Sequence, residues 1–298
     1  MPARRREPAA AAVRDRLDAP PLRGQAPRLA LRRRRAAGPR EGVSFDERVA
    51  GVDVDRAAYV RDGYCVVREL LAARIVAALH AATDALEAAG RDFVVDTRVG
   101  PVFYEVQSAS GRKREPAVAP GVLRKITGPS KAQPAFMRLK NEPRVIAAVR
   151  ALGLTSPRCV VDQVNFKHPR VGTGFPFHQD AAFLHGDAAR ALAAWGGVNV
   201  VVALDAADAG NGGFVVLGRT HAAGQRDGQH SYDTSTMNEA MFDGTHRAVP
   251  SLAPGDVVLF HPHLAHGSEP NRSDRRRRLA TLWFVGGAGD GGGERTGP

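Results

Sequence analysis

The strongest constraint on the fold lies in the second half of the chain. After Pro157, short runs of valine, leucine and phenylalanine alternate with turn-forming glycine, proline, asparagine and aspartate. These runs span residues 159–166, 198–204, 213–217, 256–260 and 279–285. Short apolar runs bounded by turn residues predict strands, and most of them have no helix-length segment between them. The pattern favours a β-sandwich or barrel over an alternating βα fold.

The first half of the chain carries helical patterns instead. Apolar residues recur at helical spacing from Ala72 to Ala89, and Gly90 provides a stop. A second amphipathic helix is predicted from Pro143 to Leu152, and a helix end, a turn and a short strand between Tyr59 and Leu71. Residues 91–135 give no ordered pattern. We therefore predict a mainly β protein with flanking helices.

The charge of the chain is concentrated at its N-terminus. Residues 1–45 hold 12 arginines, no lysine and four acidic residues, and so carry most of the net charge of +11. Such a segment buries too little apolar surface to fold alone, and we predict a disordered Arg/Ala/Pro-rich extension. A polyanion-binding arm is the alternative interpretation. With a flexible Gly-rich tail at 287–298, residues 46–286 remain as a single domain whose β core starts at about 157.

Composition excludes several classes of protein. No run approaches the roughly 18 apolar residues of a membrane span, so we expect no membrane partner. Cys65 and Cys159 are too few for a disulfide scaffold, and no zinc-finger spacing occurs. A reducing, cytoplasmic setting follows as the expectation.

The triplet His178-Gln179-Asp180 is the first candidate for chemistry. On an extended strand, side chains at positions i and i+2 leave the same face, so both can reach one ion. A third ligand from a distant strand would complete two histidines and one carboxylate, the set typical of non-haem Fe(II) oxygenases. Zinc accepts the same ligands and is the competing metal.

Several residues downstream are candidates for the rest of such a site. His261, His263 and His266 are alternatives for the third ligand, since they lie at or soon after the end of one predicted strand. If the strand continues, alternation places the side chains of His261 and His263 on one face. A loop precedes His266, so the alternation of that strand does not determine where its side chain points. In the arginine run 275–278, Arg275 and Arg277 share a face, and a solvated charge run is the structural alternative.

Taken together, these features resemble the phytanoyl-CoA dioxygenase family of Fe(II)/2-oxoglutarate oxygenases, over about residues 55–285. The resemblance is carried by His178-Gln179-Asp180, by Asn211-Gly212 before Gly218–His221, by Gly255-Asp256 leading to His261, and by His266-Gly267-Ser268 with Arg277 eleven residues after His266. The Pro-Gly-Ser-His turn of the family appears here as Leu217-Gly218-Arg219-Thr220-His221. This departure touches a structural turn rather than the ligands.

The resemblance implies a double-stranded β-helix core of the jelly-roll, cupin-like kind. It implies that His178, Asp180 and His266 bind Fe(II), and that 2-oxoglutarate and O2 are the cosubstrates. The implied activity is hydroxylation of a C–H bond in a small organic substrate, with release of succinate and CO2. Because the carboxylate of Asp180 is present, halogenation is not expected.

The resemblance also implies how the cosubstrate is held. Arg277 would bind the distal carboxylate of 2-oxoglutarate through a bidentate fork, with Ser268 beside it. Gln163 and Lys125 are weaker candidates for cosubstrate contacts.

The identity of the substrate does not follow from the sequence. Phe183 and Trp195 are weak candidates for the substrate pocket, since such aromatic residues more often pack in a core. We expect a monomer or homodimer and no nucleic-acid partner. The alternatives are a non-catalytic metal- or nucleic-acid-binding β-helix protein that uses the basic arm, and a zinc hydrolase, which would leave Arg277 and Ser268 without a task.

Overall fold

The computed structural model describes residues 51–226 and 246–288. The predicted extension at 1–45 lies outside these ranges, as does the predicted tail apart from residues 287 and 288. The α-helices of the described chain are α1 (Arg56–Asp62), α2 (Ala73–Ala89), α3 (Pro134–Lys140), α4 (Pro143–Ala151) and α5 (Gly186–Trp195). The strands are β1 (Tyr64–Val67), β2 (Thr97–Val99), β3 (Val102–Val106), β4 (Leu123–Thr127), β5 (Arg158–Lys167), β6 (Phe175–His178), β7 (Gly197–Ala203), β8 (Val215–Gly218), β9 (His246–Ala248), β10 (Val257–Phe260), β11 (His266–Ser268) and β12 (Arg277–Val285).

The strands form two antiparallel sheets. The major sheet has the order β1-β10-β7-β12-β5-β4-β3-β2, and the minor sheet has the order β6-β11-β8-β9. Strands that neighbour each other in these sheets are mostly distant in sequence, as in a jelly roll. The predicted mainly β fold with a double-stranded β-helix core is confirmed.

Strand β12 shows how the sequence supports two buried faces. All nine of its residues are buried. Ala280, Leu282 and Phe284 join the large apolar core, whereas Arg277, Leu279, Thr281 and Trp283 alternate with them and face a cavity between the sheets. Because both faces are covered, an uninterrupted apolar run predicts this strand better than an alternating one.

Helices α2, α3 and α4 cover the outer face of the major sheet. Leu79, Leu86, Phe136 and Val145 are almost fully buried in the same apolar core as the outward-facing residues of β12. The described helices include none that combines the length and the apolar content needed to cross a lipid bilayer. The helices thus stiffen one side of the sheet and leave its other side for the site.

The elements predicted from apolar runs are confirmed, with small shifts at their ends. Predicted helices 72–89 and 143–152 correspond to α2 and α4, and the expected turn near Gly63 separates α1 from β1. The region 91–135 contains β2, β3, β4 and the start of α3. Three elements that the prediction lacks, β6, β11 and α5, surround the site described below.

Asp256 fastens the segment before α2 to the start of β10. Its carboxylate accepts hydrogen bonds from Glu69 N at 2.9 Å, Ala253 N at 2.9 Å and Arg68 Nη1 at 2.7 Å. Burial opposes the ionisation of Asp256, but these donors outweigh it and hold its pKa below the usual value. Each hydrogen bond to a charged group stabilises the folded state. We therefore expect Asp256→Ala to lower the free energy of unfolding by about 3 kcal/mol, as measured by urea denaturation.

The stabilisation by Asp256 has a defined pH window. Because its folded-state pKa is lowered, the contribution is fully present above the unfolded-state pKa of about 4 and is lost as the pH falls through the folded-state value. Asp274→Ala is the matched control, since Asp274 is 78% exposed and pairs with an exposed arginine. Equal losses in the two variants would contradict the assignment.

Candidate metal centre

Two short strands bring His178 and His266 together. β6 and β11 pair antiparallel, and their register places His178 directly opposite His266, with ring centroids 4.3 Å apart. Gly267 permits this close pairing, because a Cβ atom there would lie 2.7 Å from the carbonyl oxygen of Phe175. A larger residue at Gly267 would push the strands apart, and the two histidines with them.

Asp180 joins the pair by a route that differs from the sequence prediction. We predicted one extended strand through both residues, but β6 ends at His178 and Asp180 begins a short 3-10 helix, Asp180–Phe183. Gln179 keeps extended dihedrals (φ −116°, ψ 125°), so the carboxylate still returns to the side of His178. Asp180 Oδ1 lies 3.4 Å from His178 Nε2 and 3.5 Å from His266 Nε2.

Backbone carbonyls fix both imidazoles in one tautomer. His178 Nδ1 lies 2.8 Å from the carbonyl oxygen of Pro176, and His266 Nδ1 lies 2.9 Å from that of Leu264. A carbonyl oxygen only accepts, so each Nδ1 carries a proton and each Nε2, when deprotonated, has a lone pair for a metal beside Asp180. Two Nε2 lone pairs and one carboxylate oxygen converge within 4.8 Å of one another. This donor set fits a divalent transition metal.

The electrostatics of the three residues agree with that fit. All three are almost fully buried. Burial opposes the ionisation of Asp180, but the facing imidazoles of His266 and His178 outweigh it and keep its pKa below the usual range. Burial, together with the neighbouring His266, lowers the pKa of His178. The site therefore favours a carboxylate beside a neutral imidazole, which is the protonation state that binds a metal.

Asn199 on β7 holds the second carboxylate oxygen of Asp180. Its side-chain Nδ2 donates a hydrogen bond to Asp180 Oδ2 at 2.7 Å, and both residues are buried. This bond leaves Oδ1 to face the two histidines. An amide in the middle of an otherwise apolar strand is the sequence signal for this residue, which our prediction missed.

We expect Asn199→Leu to weaken metal binding by roughly 10- to 100-fold, since a residue that orients a metal ligand has effects of this size. Co(II) titration followed by visible absorbance measures the change. Asn165→Leu is the matched control, because Asn165 also lines the cavity but donates to Thr281 Oγ1 at 3.0 Å. Equal affinity in wild type and Asn199→Leu would overturn the role of Asn199.

The other candidate histidines lie in a separate cluster. His261 packs at a tilt against His221 and His263, with ring centroids 5.4 and 5.3 Å away, respectively. Neither His261 nor His263 lies among the ligand atoms that converge on Asp180 in the described chain. Of the three alternatives that the sequence left open, the structure brings His266 to the site.

The triad lies in a cavity of about 60 Å³ between the two sheets. Four other predicted site residues line it as well: Lys125, Gln163, Ser268 and Arg277. The remaining lining residues are Asn165, Phe175, Val201, Phe214, Phe260, Gly267, Leu279, Thr281 and Trp283. The cavity therefore gathers residues from both sheets around one metal-binding face.

The two weak candidates for the substrate pocket lie elsewhere. Phe183 packs edge-on against His178, with ring centroids 5.7 Å apart, but does not line the cavity. Trp195 ends α5 and is 41% exposed. The tryptophan that lines the cavity is Trp283, and a substrate contact by Trp195 stays a prediction.

Arg277 is a buried cation at one end of the cavity. Its Nη2 donates to the carbonyl oxygen of Gly212 at 2.7 Å, and its Nε donates to the same oxygen at 3.2 Å. In the described part of the chain, no carboxylate lies within ion-pair distance of it. Burial lowers the pKa of Arg277 to about 9, although the negative charge of the distant Asp205 acts to raise it. Such an arginine is poised to bind an anion.

Further cations surround that end of the cavity. Lys167 is buried, and burial, together with Arg277 and Arg124, lowers its pKa far below the usual value. Lys125 pairs with Glu105 at 3.2 Å, and Arg124 pairs with the same carboxylate at 2.6 Å. Glu105 thus pairs with two of these four buried basic residues and not with Arg277, and a bound anion would balance the charge of Arg277.

Comparisons with known proteins place this geometry in a family. Residues 59–279 match the sequence profile described as Phytanoyl-CoA dioxygenase (PhyH). The mouse protein named Phytanoyl-CoA dioxygenase domain-containing protein 1 is 30% identical over 164 residues, which cover 52% of this chain and 54% of that protein. The chain thus spans about half the length of the curated relatives that it matches.

Solved structures share the fold at low sequence identity. EctD from S. alaskensis, solved with 2-oxoglutarate and 5-hydroxyectoine, is 22% identical with a TM-score of 0.59, and the match covers 78% of this chain and 74% of EctD. The epimerase SnoN, solved with Fe3+, alpha ketoglutarate and nogalamycin RO, is 20% identical with a TM-score of 0.59, and the match covers 80% of this chain and 83% of SnoN. Since the match to the family profile runs through nearly all of the described fold and includes the triad, the chain belongs to the phytanoyl-CoA dioxygenase family.

Proposed function

We propose that the chain is an Fe(II)- and 2-oxoglutarate-dependent dioxygenase that hydroxylates a C–H bond of a small organic substrate and releases succinate and CO2. The observation that carries the proposal is that the triad and the uncompensated Arg277 share one cavity. A metal site alone would suit many reactions. A metal site with a buried cation at a fixed place beside it suits a cosubstrate that chelates at one end and is anionic at the other.

In this proposal His178, Asp180 and His266 hold the iron, through two Nε2 atoms and Oδ1 of the carboxylate. The iron, when bound, supplies the activation of O2 that couples decarboxylation of the cosubstrate to oxidation of the substrate. The chain's own residues orient the groups that would bind the metal. Asn199 keeps Asp180 Oδ2 occupied, so that Oδ1 would be the oxygen available to the metal.

Arg277 would bind the distal carboxylate of 2-oxoglutarate, with Ser268, Gln163 and Lys125 as further polar groups of the cavity. Arg277 is held in place by Gly212, whose φ of +75° suits glycine and whose added Cβ would collide with Glu269 O and Lys167 Cδ at 2.7 Å each. The Asn211-Gly212 pair therefore serves the cosubstrate end of the site. A zinc hydrolase would need the triad but not the buried arginine, Arg277, at the other end of the cavity.

An anaerobic titration tests the proposal. Apo-protein receives Fe(II) and then 2-oxoglutarate, and visible absorbance reports chelation through a weak metal-to-ligand charge-transfer band. We expect the band in wild type and none in His178→Ala. Zinc binding without an Fe(II) and 2-oxoglutarate band would support the hydrolase, and the absence of any metal binding would support a non-catalytic protein.

A further inference from the structure

The indole N–H of Trp283 is buried and unpartnered. Trp283 is 3% exposed, and its Nε1 finds no hydrogen-bond acceptor in the described chain. Burying such a donor without a partner is unfavourable, and folded proteins rarely leave one unsatisfied. Six buried side-chain polar atoms of the described chain lack a hydrogen-bond partner. Among them, only Trp283 Nε1 belongs to a residue that lines the triad cavity.

The packing of Trp283 limits where an acceptor can come from. On one side the indole belongs to a cluster of apolar side chains that includes Phe183, Leu184 and Leu192. Phe183 in turn packs against His178. None of these side chains carries an acceptor, and Trp283 also lines the triad cavity, which we take as the side from which an acceptor reaches Nε1. The same packing holds the indole in a fixed orientation beside the metal site.

The position of Trp283 on β12 separates it from the cosubstrate end. It lies six residues beyond Arg277 on the same face of the strand, which is roughly 20 Å along the sheet. A five-carbon diacid that is anchored on Arg277 and reaches the triad is much shorter than this. Trp283 is therefore out of reach of 2-oxoglutarate and is placed for the other substrate.

The cross-strand neighbour of Trp283 defines its relation to the metal. In the register of β12 and β7, Trp283 lies opposite Asn199, whose side chain holds Asp180. The cations that line the cavity, Lys125 and Arg277, belong to the opposite end, since Lys125 pairs with Asn165 and Asn165 with Leu279. An uncharged donor whose cross-strand neighbour holds a carboxylate ligand suits a neutral oxygen rather than an anion.

We propose that Trp283 orients the primary substrate through a hydrogen bond from Nε1 to a neutral oxygen acceptor, such as a ketone, amide, ether or hydroxyl oxygen. The rest of the substrate would contact the apolar part of the lining: Val201, Phe214, Phe260 and Leu279. The substrate class is thus a mainly apolar small molecule with a neutral oxygen close to the oxidised carbon. This inference rests on the proposed function, because it takes the cavity as the place of turnover.

Indole NMR signals provide a direct test, since the chain contains two tryptophans. The full-length protein is labelled with [15N]tryptophan and loaded with Zn(II), a diamagnetic substitute for Fe(II), and with 2-oxoglutarate. The signal that disappears in Trp283→Phe is assigned to Trp283. The probes are pairs of similar shape, each a small cyclic ketone, amide or ether and its hydrocarbon counterpart, such as 1-indanone and indane.

We expect the oxygenated member to shift the Trp283 signal downfield and to bind roughly five- to tenfold more tightly than the hydrocarbon. In Trp283→Phe this preference should vanish, whereas Trp195→Phe should keep it. A preference that survives Trp283→Phe, or no preference in wild type for any pair, would overturn the proposal. Retention of the Fe(II) and 2-oxoglutarate band in Trp283→Phe distinguishes this failure from a failure of the proposed function.

Discussion

Asp180→Ala should abolish metal-dependent turnover, with 2-oxoglutarate decarboxylation at roughly 1% of the wild-type rate or less. The substitution removes the charged ligand and leaves two imidazoles without the oxygen on which their Nε2 atoms converge. Changes in residues that only orient a ligand already reduce affinity or activity by about 10- to 100-fold, so loss of the ligand itself should have at least the larger effect. Succinate release and the anaerobic charge-transfer band measure it.

Asp187→Ala is the control for this prediction. Asp187 lies seven residues further on, in the first turn of α5, where its side chain is 86% exposed and pairs with Arg190. We expect wild-type turnover and a wild-type band in this variant. Full decarboxylation by Asp180→Ala would refute the metal assignment and, with it, the proposed function.

Arg277→Gln should raise the KM for 2-oxoglutarate at least 30-fold, while metal affinity stays close to that of wild type. A buried arginine that meets a carboxylate contributes about 2–5 kcal/mol when its partner is bound, and glutamine retains donors but not the charge. The same loss should appear in thermal unfolding, where 2-oxoglutarate stabilises wild type but not the variant. Steady-state kinetics and differential scanning calorimetry provide the two measurements.

A second cosubstrate sharpens the Arg277 test. 2-Oxopentanoate keeps the chelating 2-oxo acid but lacks the distal carboxylate, so wild type should strongly prefer 2-oxoglutarate and Arg277→Gln should discriminate little. Arg275→Gln is the matched control, because Arg275 is half-exposed and pairs with Asp208 at 2.8 Å, outside the cavity. If Arg275→Gln lost the preference and Arg277→Gln kept it, the roles of the two arginines would be reversed.

The apolar runs were sufficient to predict the major strands, because burial on both faces leaves a continuous signal. β7 and β10 consist almost entirely of buried apolar residues, and β12 is apolar from Leu279 to Val285 except for Thr281. No helical period competes with that pattern. The ligand-bearing strands lack such a signal. Phe175–His178 contains a proline and His266–Ser268 contains a glycine, and neither residue favours a strand. Their pairing is imposed by the tertiary structure.

The site was predictable where chemistry depends on residue type and spacing, as for His178 and Asp180. It was not predictable where it depends on the register between strands. Which of two tryptophans meets the cavity depends on which face of β12 is turned inward, and a run from Leu279 to Val285 that is buried on both faces does not reveal that face. Asn199 is an exception among the residues that were missed, because a single amide side chain between valines indicates a buried hydrogen bond.

The place of β12 in the sheet has a consequence for how the protein is made. β12 is the last strand of the described chain, yet it lies between β5 and β7 in the middle of the major sheet and supplies Arg277 and Trp283. A ribosome delivers β5 and β7 first, each with an unpaired edge, and neither finds its shared neighbour until residue 285 has emerged. Such late, long-range pairing folds slowly and exposes aggregation-prone edges. We therefore expect the nascent chain to expose these two edges until β12 has emerged, and the cavity to gain Arg277 and Trp283 only then.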